Sequence, residues 1–249
     1  MSDIQAIAGI PVLARRTVMR AELPVVVVIH GMSTTPEMLR LGWPDADDSL
    51  ARVYWRLPIL REGREAVQAR RERDLFRGLF APVVAEARAE LGRLVAAFAP
   101  RPVGLFGFSI GGLISLWGAA DQPAVRAAVS VGGVPSLEYL LDFFPGYDWL
   151  APDVLAERRR HDVGRALDRL APKATLILHG ERDDTAPYAL IADVAERLSA
   201  MDGERHRLER FAHVRHRLVA DDDAEAHDLE RLREAASAFL SQALTPARA

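Results

Sequence analysis

Four short apolar runs, each closing on glycine, constrain this chain more than any other feature of its sequence. Val25–Ile29 is five β-branched residues in a row and leads into His30-Gly31. Residues 102–106 lead into Gly107, Val125–Val131 into Gly132-Gly133, and 174–178 into His179-Gly180. A run that is apolar at both parities can be buried on both faces, the pattern of a strand inside a mostly parallel sheet. Residues 205–211 are largely charged, with Leu208 and Phe211 as apolar members, and read as an edge strand. Residues 12–19 read as an early antiparallel strand. Amphipathic stretches lie between these runs: 64–98, with Pro82 expected to divide it into two helices, then 113–120, 188–200 and 224–244. Strand alternating with helix predicts a three-layer α/β/α sandwich around a mostly parallel sheet.

The 249 residues fit one large α/β domain, expected to span 1–249. Regular alternation breaks only at 135–170, which is too long for a simple connection. It holds Phe143, Phe144, Tyr147 and Trp149, then three arginines at 158–160. The expectation is a small helical cap over the carboxyl edge of the sheet. The aromatic group then has two readings, a substrate-binding acyl pocket or the packing core of the cap. Arg158, Arg159 and Arg160 read as a solvated helix face.

Composition removes several function classes. A net charge of −3 provides no field to recruit nucleic acid or an anionic membrane. With no cysteine there is no disulfide, no thiolate metal site and no cysteine nucleophile. No segment approaches the roughly 20 consecutive apolar residues that span a bilayer, and 1–20 lacks the apolar stretch of a signal peptide. A cytoplasmic location is therefore expected. No helix carries paired histidines at ligand spacing, so no metal site is expected.

Gly107-Phe108-Ser109-Ile110-Gly111-Gly112 sits between an apolar run and a helical one. A serine hydroxyl is a weak nucleophile until a neighbouring base takes its proton. A sharp strand-to-helix turn would expose it, and a Cβ at Gly107 or Gly111 would crowd that turn. The Ile110 N–H would lie at the helix start, where free donors and the helix dipole favour a developing oxyanion. His30-Gly31-Met32 ends the first strong run, where the Met32 N–H would be the second oxyanion donor.

An orienting acid and a base are then sought further along the chain. After the 174–178 run come Asp183 and Asp184, which both qualify; Asp183 is favoured, with Asp184 expected to cap the helix beginning near Pro187. After the last strand, His213 and His216 both qualify, and spacing alone does not choose between them. His30 and His179 read as local hydrogen-bonding groups at strand ends. His161, His206 and His227, set among charges, read as solvated.

Four blocks, His-Gly-Met at 30–32, Gly-Phe-Ser-Ile-Gly-Gly at 107–112, His-Gly-Glu-Arg-Asp at 179–183 and the closing block at 211–216, resemble the α/β-hydrolase superfamily in order and across nearly the whole chain. In relatives the closing block reads aromatic–Pro–Gly–x–x–His, and Phe211 and His216 match its ends while Ala212 and His213 depart from it. The segment at 57–64 resembles the Leu-Pro-x-x-x-His-Gly-x-Arg segment of bacterial carboxylesterases of the prolyl-oligopeptidase-like, dienelactone-hydrolase-related group, with Glu62 in place of the histidine. The resemblance implies an α/β-hydrolase fold and ester or thioester hydrolysis through an acyl-enzyme on small to medium acyl substrates, with no cofactor required. Ser109 would be the nucleophile, His216 the base, Asp183 the orienting acid, and Met32 and Ile110 the oxyanion donors. An aminopeptidase-like reading would need acids for a substrate ammonium group, with Asp142, Asp148 and Asp153 as candidates. A ligand-binding homologue without turnover is the remaining alternative.

Overall fold

The computed structural model describes residues 3–14, 22–43 and 49–245. Its elements in chain order are β1 (Asp3–Ile7), β2 (Ile10–Ala14), β3 (Val25–Ile29), α1 (Pro36–Gly42), β4 (Ala51–Trp55), α2 (Arg64–Arg73) and α3 (Ala81–Ala96). Then come β5 (Val103–Phe108), α4 (Ile110–Asp121), β6 (Val125–Val131), α5 (Leu140–Phe143), α6 (Pro152–Arg160), α7 (Leu167–Leu170), β7 (Ala174–Gly180), α8 (Ala189–Met201), β8 (His206–Phe211) and α9 (Asp223–Leu244). The eight strands form one sheet in the order β1-β2-β4-β3-β5-β6-β7-β8. β2 pairs antiparallel with β1 and β4, and every pairing from β4 to β8 is parallel.

The side-chain period of two builds the three layers. Val25, Val27 and Ile29 face one core, with α3, α4 and α8; Val26 and Val28 face the other, with α1 and α9. Both cores are closed, which is why β3 needs an apolar residue at every position. β8 lies at the sheet edge, and its mixed pattern follows from having one neighbour. Half-exposed Arg207 and Glu209 and exposed Arg210 on that edge discourage pairing with another chain.

Three expectations are corrected. The early strand is Ile10–Ala14, and residues 15–19 of the expected span lie outside the described residues. β4 was not expected, because Arg52 interrupts its apolar run; the arginine is buried against Trp43. The 64–98 stretch divides at Asp74, not at Pro82. Asp74 has extended backbone, and its carboxylate accepts the Arg77 N–H at 2.7 Å, opening a π turn at Leu75–Phe80. Pro82 then sits in the first turn of α3, where its missing N–H costs nothing.

The 135–170 segment, between β6 and β7, folds as short helical pieces that include α5, α6 and α7. Among the described residues no helix is long and apolar enough to cross a membrane.

Candidate active site

The chain goes from β3 out to β4 and returns across β3 to β5, so the carboxyl ends of β3 and β5 diverge at a switch point of the sheet. Ser109 follows β5 there, with φ 59° and ψ −126°. This is a sparsely populated conformation for a residue with a side chain, held by the Ser109 N–H to Val131 carbonyl bond at 2.9 Å and the start of α4. The His30-Gly31-Met32 turn after β3 comes against it. A Cβ on Gly31 would lie 2.9 Å from Ser109 Cβ and 3.4 Å from its Oγ, so only glycine permits this approach. The Met32 and Ile110 N–H groups engage no protein acceptor among the described residues.

Asp183 follows β7 and His216 follows β8, and the structure brings both to Ser109. The Ser109 hydroxyl lies 2.8 Å from His216 Nε2, and His216 Nδ1 lies 2.7 Å from Asp183 Oδ2. The carboxylate sets the tautomer: Nδ1–H donates to Asp183, which leaves Nε2 to accept from the serine. Asp183 is buried, and its other oxygen accepts the N–H groups of Thr185 (3.1 Å) and Ala186 (2.7 Å). The imidazole also rests on the Phe108 ring, 5.0 Å between centroids.

The neighbouring candidates sit elsewhere. His213 Nδ1 donates to Asp228 at 3.0 Å, away from the serine. Asp184 is exposed, its carboxylate meeting only its neighbour Thr185, and α8 begins without a side-chain cap, so Asp184 does not cap it. His30 and His179 serve local bonding: His30 donates from Nδ1 to the Gly31 carbonyl and accepts the Leu57 N–H at Nε2, while His179 Nε2 donates to the Ala186 carbonyl. His161 and His206, expected to be solvated, are buried; His206 points inward from β8 and meets Thr175 at 2.9 Å. The charged neighbours of His206 misled because alternate residues of a strand face opposite ways, and His161 is buried at the C-terminal end of α6.

His30 carries a pH consequence. Burial pushes its imidazole down to about 4, with the Arg56 charge adding to the effect against the Gly31 hydrogen bond. Above pH 6.5 folded and unfolded chains both hold it neutral. As pH falls from 6.5 to 4, only the unfolded chain takes the proton, so roughly 3 kcal/mol of stability is lost across that window. Urea unfolding of wild type and His30→Asn between pH 4 and 8 should show a steeper acid loss in wild type; parallel curves would refute it.

A cavity of about 200 Å³ opens on Ser109 and His216. Phe80, Val134, Tyr139, Leu140, Phe143 and Phe144 form its apolar wall, with Met32 and Ile110 beside the serine. Phe80, Tyr139 and Phe143 make successive edge-to-face contacts. Of the four aromatics singled out from sequence, Phe143 and Phe144 line this cavity, whereas Tyr147 and Trp149 do not. Trp149 is buried edge-on to Phe76, its indole N–H bonded to the Phe144 carbonyl, and Tyr147 donates its hydroxyl to Asp74. The Tyr147 N–H also donates to the Phe144 carbonyl, at 3.1 Å, so both residues hold the backbone of Phe144. Arg158 is likewise no free face, since it donates to the Trp149 carbonyl and to Glu138. Phe80, Val134, Tyr139 and Leu140 were missed; Val134 closely follows the carboxyl end of a central strand, and Tyr139 and Leu140 lie in the segment expected to cap that edge, whereas Phe80 had no signal.

Asp142 and Asp148 are exposed and Asp153 pairs with Arg77, and none of the three lines the serine cavity. Among the described residues no group of acids, histidines or cysteines could hold a metal ion.

An eight-stranded, mostly parallel sheet between helices, with a serine on a strained strand-to-helix turn, defines an α/β-hydrolase of the serine hydrolase class. The prolyl oligopeptidase family model matches residues 85–245, more than half of the chain, and the chain belongs to that family. Among solved structures, TT1662 from Thermus thermophilus is similar at TM-score 0.73 and 20% identity, covering 100% of this chain and 99% of that one. A putative dienelactone hydrolase from Klebsiella pneumoniae matches at TM-score 0.62 and 18% identity, covering 93% and 96%. A puromycin-hydrolyzing peptidase of Mycobacterium tuberculosis matches at 0.64 and 20%, and there 98% of this chain covers 39% of the other. No curated protein sequence matches the chain.

Proposed function

We propose that this protein hydrolyses small-molecule carboxylic esters with short acyl chains, with Ser109 as nucleophile, His216 as base, Asp183 as orienting acid, and the Met32 and Ile110 N–H groups as oxyanion donors. The unbroken Ser109–His216–Asp183 hydrogen-bond chain, at 2.8 and 2.7 Å, carries this reading. Ser109 Oγ adds to the ester carbonyl while its proton passes to His216 Nε2, and the carbonyl oxygen becomes an anion between the two free N–H groups. Collapse breaks the bond to the alcohol, which leaves with the proton from His216. Water then attacks the acyl-serine, giving its proton to His216, and the acid departs as Ser109 regains a proton. Asp183 stays ionised throughout and stabilises the imidazolium.

The size of the cavity supports short acyl chains, since about 200 Å³ is below the ~300 Å³ at which pockets for drug-sized ligands begin. The absence of the three candidate acids from its lining favours an ester over an amine-terminated peptide.

A p-nitrophenyl ester series from acetate to decanoate tests both points. Turnover is expected to peak at two to four carbons and to fall about tenfold by eight. Phe144→Ala should move the optimum to longer chains by enlarging the cavity. A flat profile would remove the role of the aromatic wall. Hydrolysis of peptide amides with no ester in the series turned over would replace the ester reading with a peptidase.

A further inference from the structure

The segment that carries His216 has little backbone pairing of its own. Residues 212–222, between β8 and α9, contain no helix or strand. The Val214 carbonyl accepts the Arg182 N–H, the Arg217 N–H turns back to the Arg215 carbonyl, and Arg233 reaches the Leu218 carbonyl. Val214 and Leu218 are buried in the core under α9, His216 itself bonds Asp183 and Ser109, and further polar anchors come from two carboxylates near the start of α9, three residues apart and so on one face of the helix. Glu225, whose side chain is 0% exposed, accepts the N–H groups of Arg215 at 3.1 Å and Asp221 at 3.0 Å. Its oxygens also take Arg217 Nε at 3.2 Å and the Arg215 guanidinium at 3.4 Å. Asp228, also buried, accepts both the N–H and the ring Nδ1 of His213, each at 3.0 Å.

The held residues, 213, 215 and 221, bracket His216 on both sides. A buried carboxylate is costly unless its oxygens are satisfied by charged or well-placed donors, and here the donors are the loop itself. Burial opposes ionisation of both groups, yet the hydrogen bonds outweigh it and keep both carboxyls below their ordinary range. The helix they ride on is packed along the sheet through Leu229, Leu232, Ala236, Phe239 and Leu240, so the anchor is rigid.

We propose that Glu225 is a positioning residue: with Asp228 beside it, it transmits the placement of α9 to the His216 loop and thereby sets the imidazole at hydrogen-bond distance from Ser109. This rests on the reading of His216 as the base. The same arrangement gives the other histidine of the loop its task, since His213 is the point at which Asp228 grips the chain.

Glu225→Gln tests it, because the side chain keeps its shape while one oxygen becomes an amide NH₂ facing the loop donors. Misplacing a base by about 1 Å can cost 10²-fold. The expected result is a 10- to 100-fold fall in kcat on p-nitrophenyl acetate with KM within about twofold, and a parallel fall in the rate of labelling by a fluorophosphonate. Glu90→Gln is the control: Glu90 is a buried carboxylate on α3 that accepts from Trp55 and Arg61, far from the loop, so it lowers Tm and leaves kcat alone. Should Glu225→Gln fail to fold, Arg217→Gln removes one donor from the exposed side and is expected to lower kcat two- to fivefold. Kcat and labelling within twofold of wild type in the folded variant, with only Tm reduced, would overturn the proposal. A wild type that hydrolyses no ester and takes no label would overturn the hydrolase reading itself, and this inference with it.

Discussion

Ser109→Ala is expected to lower kcat on short p-nitrophenyl esters by about 10⁴- to 10⁶-fold and to abolish covalent labelling by a fluorophosphonate. The hydrogen-bond chain through His216 to Asp183 starts from this hydroxyl, and the other hydroxyls lining the cavity, those of Ser33, Tyr139 and Thr185, make no hydrogen bond to that imidazole among the described residues. On the proposed mechanism the residual rate comes from the Met32 and Ile110 N–H groups and from binding, which the substitution leaves in place. Alanine keeps a Cβ, so the strain of φ 59° at this position is unchanged and Tm should move by only a few degrees. Labelling and turnover surviving in a folded Ser109→Ala protein would place the chemistry elsewhere.

Gly107→Ala is expected to have the largest effect on stability, at least about 4 kcal/mol, enough to leave little folded protein. A Cβ there would run into the Gly111 carbonyl and come within 2.6 Å of the Gly112 nitrogen. Those atoms are backbone of the first turn of α4, which cannot swing aside as a flexible side chain can. The turn would have to open, pulling Ser109 away from its bond to the Val131 carbonyl and α4 away from β5 and β6. Thermal denaturation of the purified variant checks this, and a Tm within a few degrees of wild type would show that the elbow is more yielding than its contacts imply.

Much of the architecture was legible because its signals are local. Val25–Ile29 and Val125–Val131 coincide with β3 and β6, since a run apolar at both parities has no other stable place than between two helical layers. The charged run before Phe211 became the edge strand for the same reason in reverse. What escaped was local pattern overridden by tertiary context. β4 drew no strand expectation, since Arg52 breaks its apolar pattern, yet the arginine is buried within β4 over the Trp43 ring. Pro82 looked like a break, while Asp74, a residue with a side chain able to cap the next turn, made the break eight positions earlier.

The central strands β3, β5, β6 and β7 and the strand-to-helix turn at Ser109 thus follow from the sequence by itself, through the two side-chain periods and the steric silence of glycine. The choice between His213 and His216 does not. Both lie in one irregular loop, and only the docking of α9 decides that Asp228 takes the first while Asp183, from β7, takes the second. The wall of the cavity is equally a tertiary matter. Phe80 comes from a π turn before α3 and Tyr139 from beyond β6, and they meet at right angles over Ser109. Contacts between residues so far apart leave no periodicity in the chain, because each segment is patterned by its own burial and not by the partner that the fold brings to it.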